Sequence, residues 1–127
     1  MNLMEELIDE FKKMKYHQKL LLTIALDKDS EQYTFFHFIL NNDQSEKDSK
    51  VIFEILHALE DIKEGTYKKG KYEAAITSLL GDNPSVSMDI FEKALLHVNI
   101  DVNPIYLIKS LRNQYLQVDL CNYLLEQ

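Results

Sequence analysis

The chain has 127 residues, of which 46% are hydrophobic and 28% are charged, with only three Gly and two Pro. A chain of this length forms one domain, residues 1–127, and so few helix-breaking residues favour helices. Its net charge of −7 repels phosphate backbones and anionic lipid, so neither nucleic acid nor a membrane is an expected partner. The same charge favours a basic protein partner, unless it serves only to keep the protein in solution.

The beginning of the chain does not have the pattern of a signal peptide, since residues 1–6 include no basic residue and no long apolar run. The aliphatic run at residues 20–26 is too short to span a bilayer. Cys121 is the one cysteine and can form no disulfide within the chain, which is compatible with a reducing compartment. We therefore expect a cytoplasmic protein.

Residues 2–40 contain apolar patterns that predict three helices. The first spans about residues 2–13, and the second spans about residues 16–26, where neighbours are expected to cover an apolar arc on two sides. The third, at about residues 31–40, is rich in aromatic side chains, so a strand is the alternative. The apolar positions are Leu3, Met4, Leu7, Ile8 and Phe11 in the first helix, and in the second the buried Leu20, Leu21, Ile24 and Ala25, extended by Leu22 and Leu26.

The rest of the chain predicts five further helices, separated by short polar or glycine-containing joints. Gly65 and Gly81 follow two of them and are expected to end them. Two Asn-Pro pairs have a capping residue followed by Pro in the first turn, so each is expected to begin a helix. These helices are expected at about residues 46–64, at about residues 71–80, from Asn83-Pro84, from Asn103-Pro104, and within residues 115–125.

Together these patterns predict an all-α fold of about eight short helices packed as antiparallel hairpins. Each hairpin would need its neighbours to cover its apolar faces, as in a HEAT-like α-solenoid. No repeated consensus is readable in the sequence, so an irregular helical bundle is the other architecture.

No set of residues has the spacing that a catalytic, cofactor-binding or metal site requires. The four histidines have no second ligand at the spacing of a zinc site, and Cys121 has no neighbouring basic group. Residues 27–31 resemble the start of a calcium loop, but Gln32 stands where that loop needs Gly. The basic segment at residues 66–71 reads as a solvated connector, with nucleic-acid contact as the alternative. We expect no enzyme, no cofactor and no bound metal.

One face of the helix predicted at residues 46–64 combines acidic groups with an aromatic side chain. Most of these residues recur at steps of three or four, which places them on one side of the helix. The face is either an ordinary solvated surface, with Phe53 under a neighbour, or a docking site for a basic partner. The candidate partner-binding residues are Phe53, Glu54, His57, Glu60, Asp61 and Glu64.

Three segments show the order and the hydrophobic spacing of the predicted helices. They are residues 51–60 (VIFEILHALE), 72–76 (YEAAI) and 90–99 (IFEKALLHVN). Between about residues 35 and 112 the pattern resembles small, acidic, all-helical immunity proteins of bacterial polymorphic toxin systems, notably the immunity protein 30 family. The resemblance implies a cytoplasmic protein that binds and neutralises the toxin domain of its own system. The alternative is a non-catalytic helical adaptor or regulator, for example an antagonist encoded on a mobile element.

Overall fold

The computed structural model describes residues 2–81 and 84–126, apart from the side chain of Lys69. Within these residues the regular structure is entirely helical, which confirms the predicted all-α class. Two short 3₁₀ turns, Ser30–Gln32 and Lys69–Lys71, lie between α-helices. The α-helices of the described residues are α1 (Leu3–Leu26), α2 (Thr34–Asn41), α3 (Glu46–Glu64), α4 (Ala74–Leu80), α5 (Met88–His97), α6 (Pro104–Asn113) and α7 (Val118–Leu125).

The first two predicted helices are one continuous helix, α1. No Gly, Pro or capping residue interrupts the chain at residues 14–15, so nothing stops the helix there. The side chain of Asn2 caps its first turn by accepting a hydrogen bond from the backbone N–H of Glu5 at 2.8 Å. The helix ends at Asp27, whose carboxylate accepts hydrogen bonds from the backbone N–H of Asp29 at 2.9 Å and the Tyr33 hydroxyl at 2.6 Å.

The helix α3 has the boundaries that the sequence predicts. At its start, Ser45 and Asp48 form a reciprocal capping box, in which each side chain accepts the other's backbone N–H. At its end, Gly65 adopts the left-handed conformation with φ 77°, which glycine takes at little steric cost. Local sequence alone therefore fixes both ends of the longest helix of the core.

Three of the other predicted helix starts are wrong, and one is confirmed. Pro84 lies outside any helix, and α5 begins at Met88, where the Ser87 side chain caps it by accepting from the Ile90 N–H at 3.2 Å. Asn83 lies outside the described residues. The helices predicted from about residues 31 and 71 begin later, as α2 and α4, each after a 3₁₀ turn. Asn103 caps α6 as expected, with Pro104 in the first turn.

The aromatic segment before the polar loop forms α2, so the predicted helix is correct and the alternative strand is wrong. This helix packs against α6, which also packs against α5 and α7, and α5 in turn packs against α3 and α4. Because α2 and α6 lie far apart in the chain, this packing fits the irregular bundle of the two predicted architectures. The largest fully buried side chains are Phe35, Phe91, Ile39, Ile52, Ile55, Leu56, Leu59, Ile76, Leu95, Ile100, Leu107 and Ile108.

The helix α1 is the exception to this packing, since only Leu20 and Ile24 of its residues are buried. The expected burial of Leu21 and Ala25 is wrong, and no neighbour covers the apolar arc at Leu22 and Leu26. All four of these residues are exposed. A single helix that meets the bundle along one side can bury only one apolar face, and this sequence supplies more than one.

Candidate functional site

The six candidate residues of α3 lie on the outer side of the helix and along its edges, outside the row of buried residues. We call Phe53, Glu54, His57, Glu60, Asp61 and Glu64 the acidic face. His57 and Glu64 are exposed, and the other four are half-buried. The opposite side of the same helix is fully buried through Ile52, Ile55, Leu56, Ala58 and Leu59.

The structure brings the first three residues of the acidic face together in one shallow groove. Phe53, Glu54 and His57 line it on α3, and Tyr16 lines it on α1. The ring of Phe53 meets Phe35 edge to face, with centroids 5.5 Å apart and an angle of 74° between the planes. Phe53 is therefore anchored against the core and presents only part of its ring to the groove.

Asp61 is bound by groups within the chain. Its carboxylate accepts a hydrogen bond from the Tyr72 hydroxyl and lies 3.1 Å from the Lys71 ammonium. The hydrogen bond from Tyr72, followed by that from Lys71, lowers the pKa of the Asp61 carboxyl below its ordinary value. Tyr72 also stacks on Tyr67, with ring centroids 5.8 Å apart. Asp61 therefore ties the connector that precedes α4 to α3.

Two further acids of the acidic face are partly enclosed by the protein. One carboxylate oxygen of Glu54 accepts a hydrogen bond from the backbone N–H of Glu73 at 3.1 Å. The Oε2 atom of Glu60 is buried and has no hydrogen-bond partner among the described atoms. Glu64, with Lys63 at 3.8 Å, and His57 extend outward. The outward charge of the face is therefore concentrated at Glu64 and the solvent-accessible part of Glu54.

A second surface lies on α1, and sequence reasoning missed it. Five large apolar residues on one side of this helix are each 55–66% exposed. We call Met4, Leu7, Phe11, Met14 and Leu21 the α1 seam. Four more apolar residues of the same helix are also exposed, so this helix carries most of the large exposed apolar side chains of the described chain: Leu3, Ile8, Leu22 and Leu26.

Two shallow grooves follow the α1 seam and share Phe11 and Lys15. The Lys15 ammonium lies 4.9 Å from the centre of the Phe11 ring, within the range of a cation–π contact. The apolar surface is therefore continuous from Leu7 to Leu21. An exposed apolar surface of this extent is typical of a binding site for another macromolecule. The sequence signal for it was a helix with more apolar positions than one buried face can use.

A lysine groove lies between α1 and the beginning of α3, on a protein whose net charge is negative. Asp9 and Glu46 also line it, together with the half-buried ring of Tyr16. Four of the groove's lysines lie along the middle of α1, beside the α1 seam. The lysines of the groove are Lys12, Lys13, Lys15, Lys19, Lys47 and Lys50.

The described part of the chain holds no group of three His, Cys, Asp or Glu side chains placed to bind a metal ion. Cys121 is buried, and burial raises the pKa of its thiol to about 11, which is unfavourable for a nucleophilic thiolate. None of the helices in residues 2–81 and 84–126 is both long and apolar enough to cross a membrane.

The described part of the chain is an all-α helical bundle. Comparisons with protein-family models, with curated proteins and with solved structures find no match for this chain.

Proposed function

We propose that this protein is a cytoplasmic, non-catalytic binding protein of the immunity type, which holds a basic toxin domain against its acidic face and so neutralises it. The observation that carries the proposal is the position of that face on α3, whose opposite side is completely buried in the core. A surface fixed in this way loses little conformational freedom when a partner binds.

The charges support a basic partner. The chain has a net charge of −7, and Glu64 extends into solvent at the end of the acidic face. Opposite charges on two proteins speed their encounter and favour one orientation of docking. Phe53 adds an apolar contact inside a ring of polar groups, which is a common arrangement at the centre of a protein interface.

The contacts inside the face determine which substitutions test it cleanly. Asp61 and Glu54 both hold the segment before α4, so a reversal of either charge would also disturb the fold. Glu54→Gln keeps an oxygen that accepts the Glu73 N–H but removes the charge. Glu64→Lys reverses a charge that pairs only loosely with the neighbouring Lys63, at 3.8 Å. The pair Glu54→Gln and Glu64→Lys is therefore the acidic-face variant.

The test is growth of bacteria that co-express the chain with a toxin domain that a pull-down from its native host identifies. The wild-type chain is expected to restore growth, and the acidic-face variant is expected to restore it less. The matched control combines Asp101→Asn with Glu126→Lys, which changes the net charge by the same amount at two exposed residues outside the acidic face. Failure of the wild-type chain to protect would refute the proposal. Equal protection by the acidic-face variant would refute the assignment of this face.

A further inference from the structure

The lysine groove concentrates positive charge on a protein that is acidic as a whole. It holds six of the chain's fourteen Lys and Arg residues, and only the two acids Asp9 and Glu46 line it with them. Like charges this close along a helix repel one another, so the groove favours an anionic occupant. Four of its six lysines make no ion pair with any residue that the structure describes, namely Lys12, Lys15, Lys19 and Lys47.

Three of these lysines form one row on α1. Lys12, Lys15 and Lys19 follow steps of three and four, which places them along one side of the helix. At the rise of an α-helix this row is about 10 Å long. Lys47, in the first turn of α3, lines the other side of the groove. An occupant with carboxylates at the same helical spacing can therefore pair with the whole row.

An apolar groove adjoins the lysine groove along this row. Leu7, Ile8 and Phe11 line it, and it shares Lys12 and Lys15 with the lysine groove. Ile8 is 46% exposed and Phe11 is 58% exposed, so both rings and branches are open to contact. An occupant that covers both grooves needs carboxylates along one side and apolar side chains along the next. This is the surface of an amphipathic helix, which proteins commonly bind in a groove.

The lysine groove is too short for a long polyanion. Along α1 its row of lysines is preceded by Asp9 and Glu5, and along α3 it continues through Lys50 into the shallow groove that contains Glu54. A nucleic-acid strand that extended past the groove in these directions would meet acidic groups instead of lysines. A small phosphate would leave the apolar groove uncovered. The charges and the apolar groove together therefore favour a short acidic segment of a protein.

The net charge of −7 is compatible with a short acidic occupant. At physiological ionic strength exposed charges are screened beyond about 8 Å, so a segment inside the groove responds mainly to the lysines around it. An anionic bilayer extends far beyond that distance and would meet the acidic surface of the rest of the chain. The size of the occupant is therefore limited by the same charges that attract it.

We propose that the lysine groove and the apolar groove beside it bind an acidic amphipathic helix of a partner protein. The carboxylates of that helix pair with Lys12, Lys15 and Lys19, and its apolar side covers Ile8 and Phe11. The site is opposite in charge to the acidic face, so a basic surface that binds the acidic face would be repelled here. The proposal does not rest on the toxin binding proposed above.

The first experiment measures the binding of a synthetic helical peptide to the purified chain by fluorescence anisotropy. The peptide has leucine along one side and glutamate along the adjoining edge, and the control peptide has glutamine in place of every glutamate. We expect the glutamate peptide to bind at least about tenfold more tightly than the glutamine peptide, with an affinity that falls as the salt concentration rises. Equal affinity of the two peptides, or binding of neither, would overturn the proposal.

A pair of charge variants tests the lysine row. Lys12→Gln with Lys19→Gln removes two exposed lysines of the row and should weaken binding of the glutamate peptide by about tenfold. The matched control, Lys68→Gln with Lys109→Gln, removes the same charge from two exposed lysines outside the groove and should stay within about twofold of the wild type. Equal weakening by the two variants would show that only the net charge matters and would contradict the assignment to this groove.

A second pair of variants tests the apolar groove. Ile8→Gln with Phe11→Gln removes the apolar contact and should also weaken binding of the glutamate peptide by about tenfold. The control, Leu96→Gln with Ile105→Gln, changes two apolar side chains that are 55% and 44% exposed on other helices and should leave the affinity unaltered. Circular dichroism checks that every variant remains helical. Unchanged affinity in Ile8→Gln with Phe11→Gln would refute the amphipathic occupant.

Tripolyphosphate and phosphatidylglycerol vesicles test the other anions. If tripolyphosphate binds more tightly than the glutamate peptide, and Lys12→Gln with Lys19→Gln abolishes that binding, the groove is a phosphate site and the proposal is wrong. Cosedimentation of the wild-type chain with the vesicles, lost in the same variant, would assign the surface to lipid and would equally overturn it. None of these results depends on whether the chain protects against a toxin, so the two proposals can fail separately.

Discussion

The hydroxyl groups of Tyr16 and Ser49 lie 2.8 Å apart, and this hydrogen bond links α1 to α3. Ser49 is buried and also donates to the carbonyl oxygen of Ser45 at 3.3 Å. The bond therefore joins the helix with the α1 seam to the helix with the acidic face.

Removal of the Tyr16 hydroxyl should weaken this link without a change in packing. We expect Tyr16→Phe to lower the free energy of unfolding by about 0.5–1.5 kcal/mol, the usual value of one hydrogen bond between protein groups. Urea denaturation measures the change. Tyr106→Phe, at a tyrosine that is 63% exposed, is the control and should leave the stability unaltered. Equal losses in both variants would show that the Tyr16 hydroxyl makes no special contribution.

Two neighbouring leucines of α5 provide a matched test of the core. Leu95 is 1% exposed, and Leu96 is 55% exposed. Leu95→Ala should cost about 2–5 kcal/mol of unfolding free energy, because it removes buried methyl groups and leaves a cavity. Leu96→Ala should change the free energy of unfolding by no more than about 0.5 kcal/mol. Similar losses for the two variants would contradict the direction in which α5 faces the bundle.

The lowered pKa of Asp61 predicts how the stability of the fold depends on pH. Because the folded protein binds the ionised carboxylate, this contact stabilises the fold fully above the unfolded pKa and is lost as the pH falls through the lower, folded pKa. We expect Tyr72→Phe to raise the pKa of Asp61 toward 3.8, since it removes the largest cause of the shift. NMR titration of the Asp61 carboxyl carbon measures this, with Tyr106→Phe as the control. An unchanged pKa in Tyr72→Phe would contradict the contact.

Cys121 should resist chemical modification in the folded protein. It is fully buried, and burial raises its thiol pKa to about 11, so both access and thiolate formation are unfavourable. Mass spectrometry after treatment with iodoacetamide should find the native chain unlabelled and the urea-unfolded chain labelled. A Tyr115→Cys variant, at a residue 82% exposed, should gain one label in the native state. Rapid labelling of native Cys121 would place it at the surface.

Much of the fold could be predicted where local chemistry decides the structure. The cap at Asn103 and the helix end at Gly65 involve only neighbouring residues, so the sequence identifies them. The start of α5 is harder to predict, because Asn83-Pro84 and Ser87 both have the chemistry of a helix start, and the helix is capped by Ser87. The continuity of α1 is not predicted, since two helices are expected at about residues 2–13 and 16–26, although no Gly or Pro separates them.

The contacts of the acidic face involve residues outside α3, in the connector that precedes α4. The pattern of α3 predicts that its acids share one side, but it does not predict that Asp61 is bound by Tyr72 or that Glu54 accepts the N–H of Glu73. The exposure of the α1 seam was hidden for the same reason. Apolar periodicity predicts a face that prefers burial, and only the packed structure shows whether this chain buries it.

Calorimetric titration with a purified basic protein domain that the chain captures from its native host tests most directly whether the acidic face binds a basic partner. We predict one such domain bound per chain, with an affinity that falls as the salt concentration rises. The variant Glu54→Gln, Glu64→Lys should bind at least about tenfold more weakly and with less dependence on salt, while the charge-matched Asp101→Asn, Glu126→Lys control stays within about twofold of the wild type. Equal affinity of the wild type and the acidic-face variant would contradict the claim.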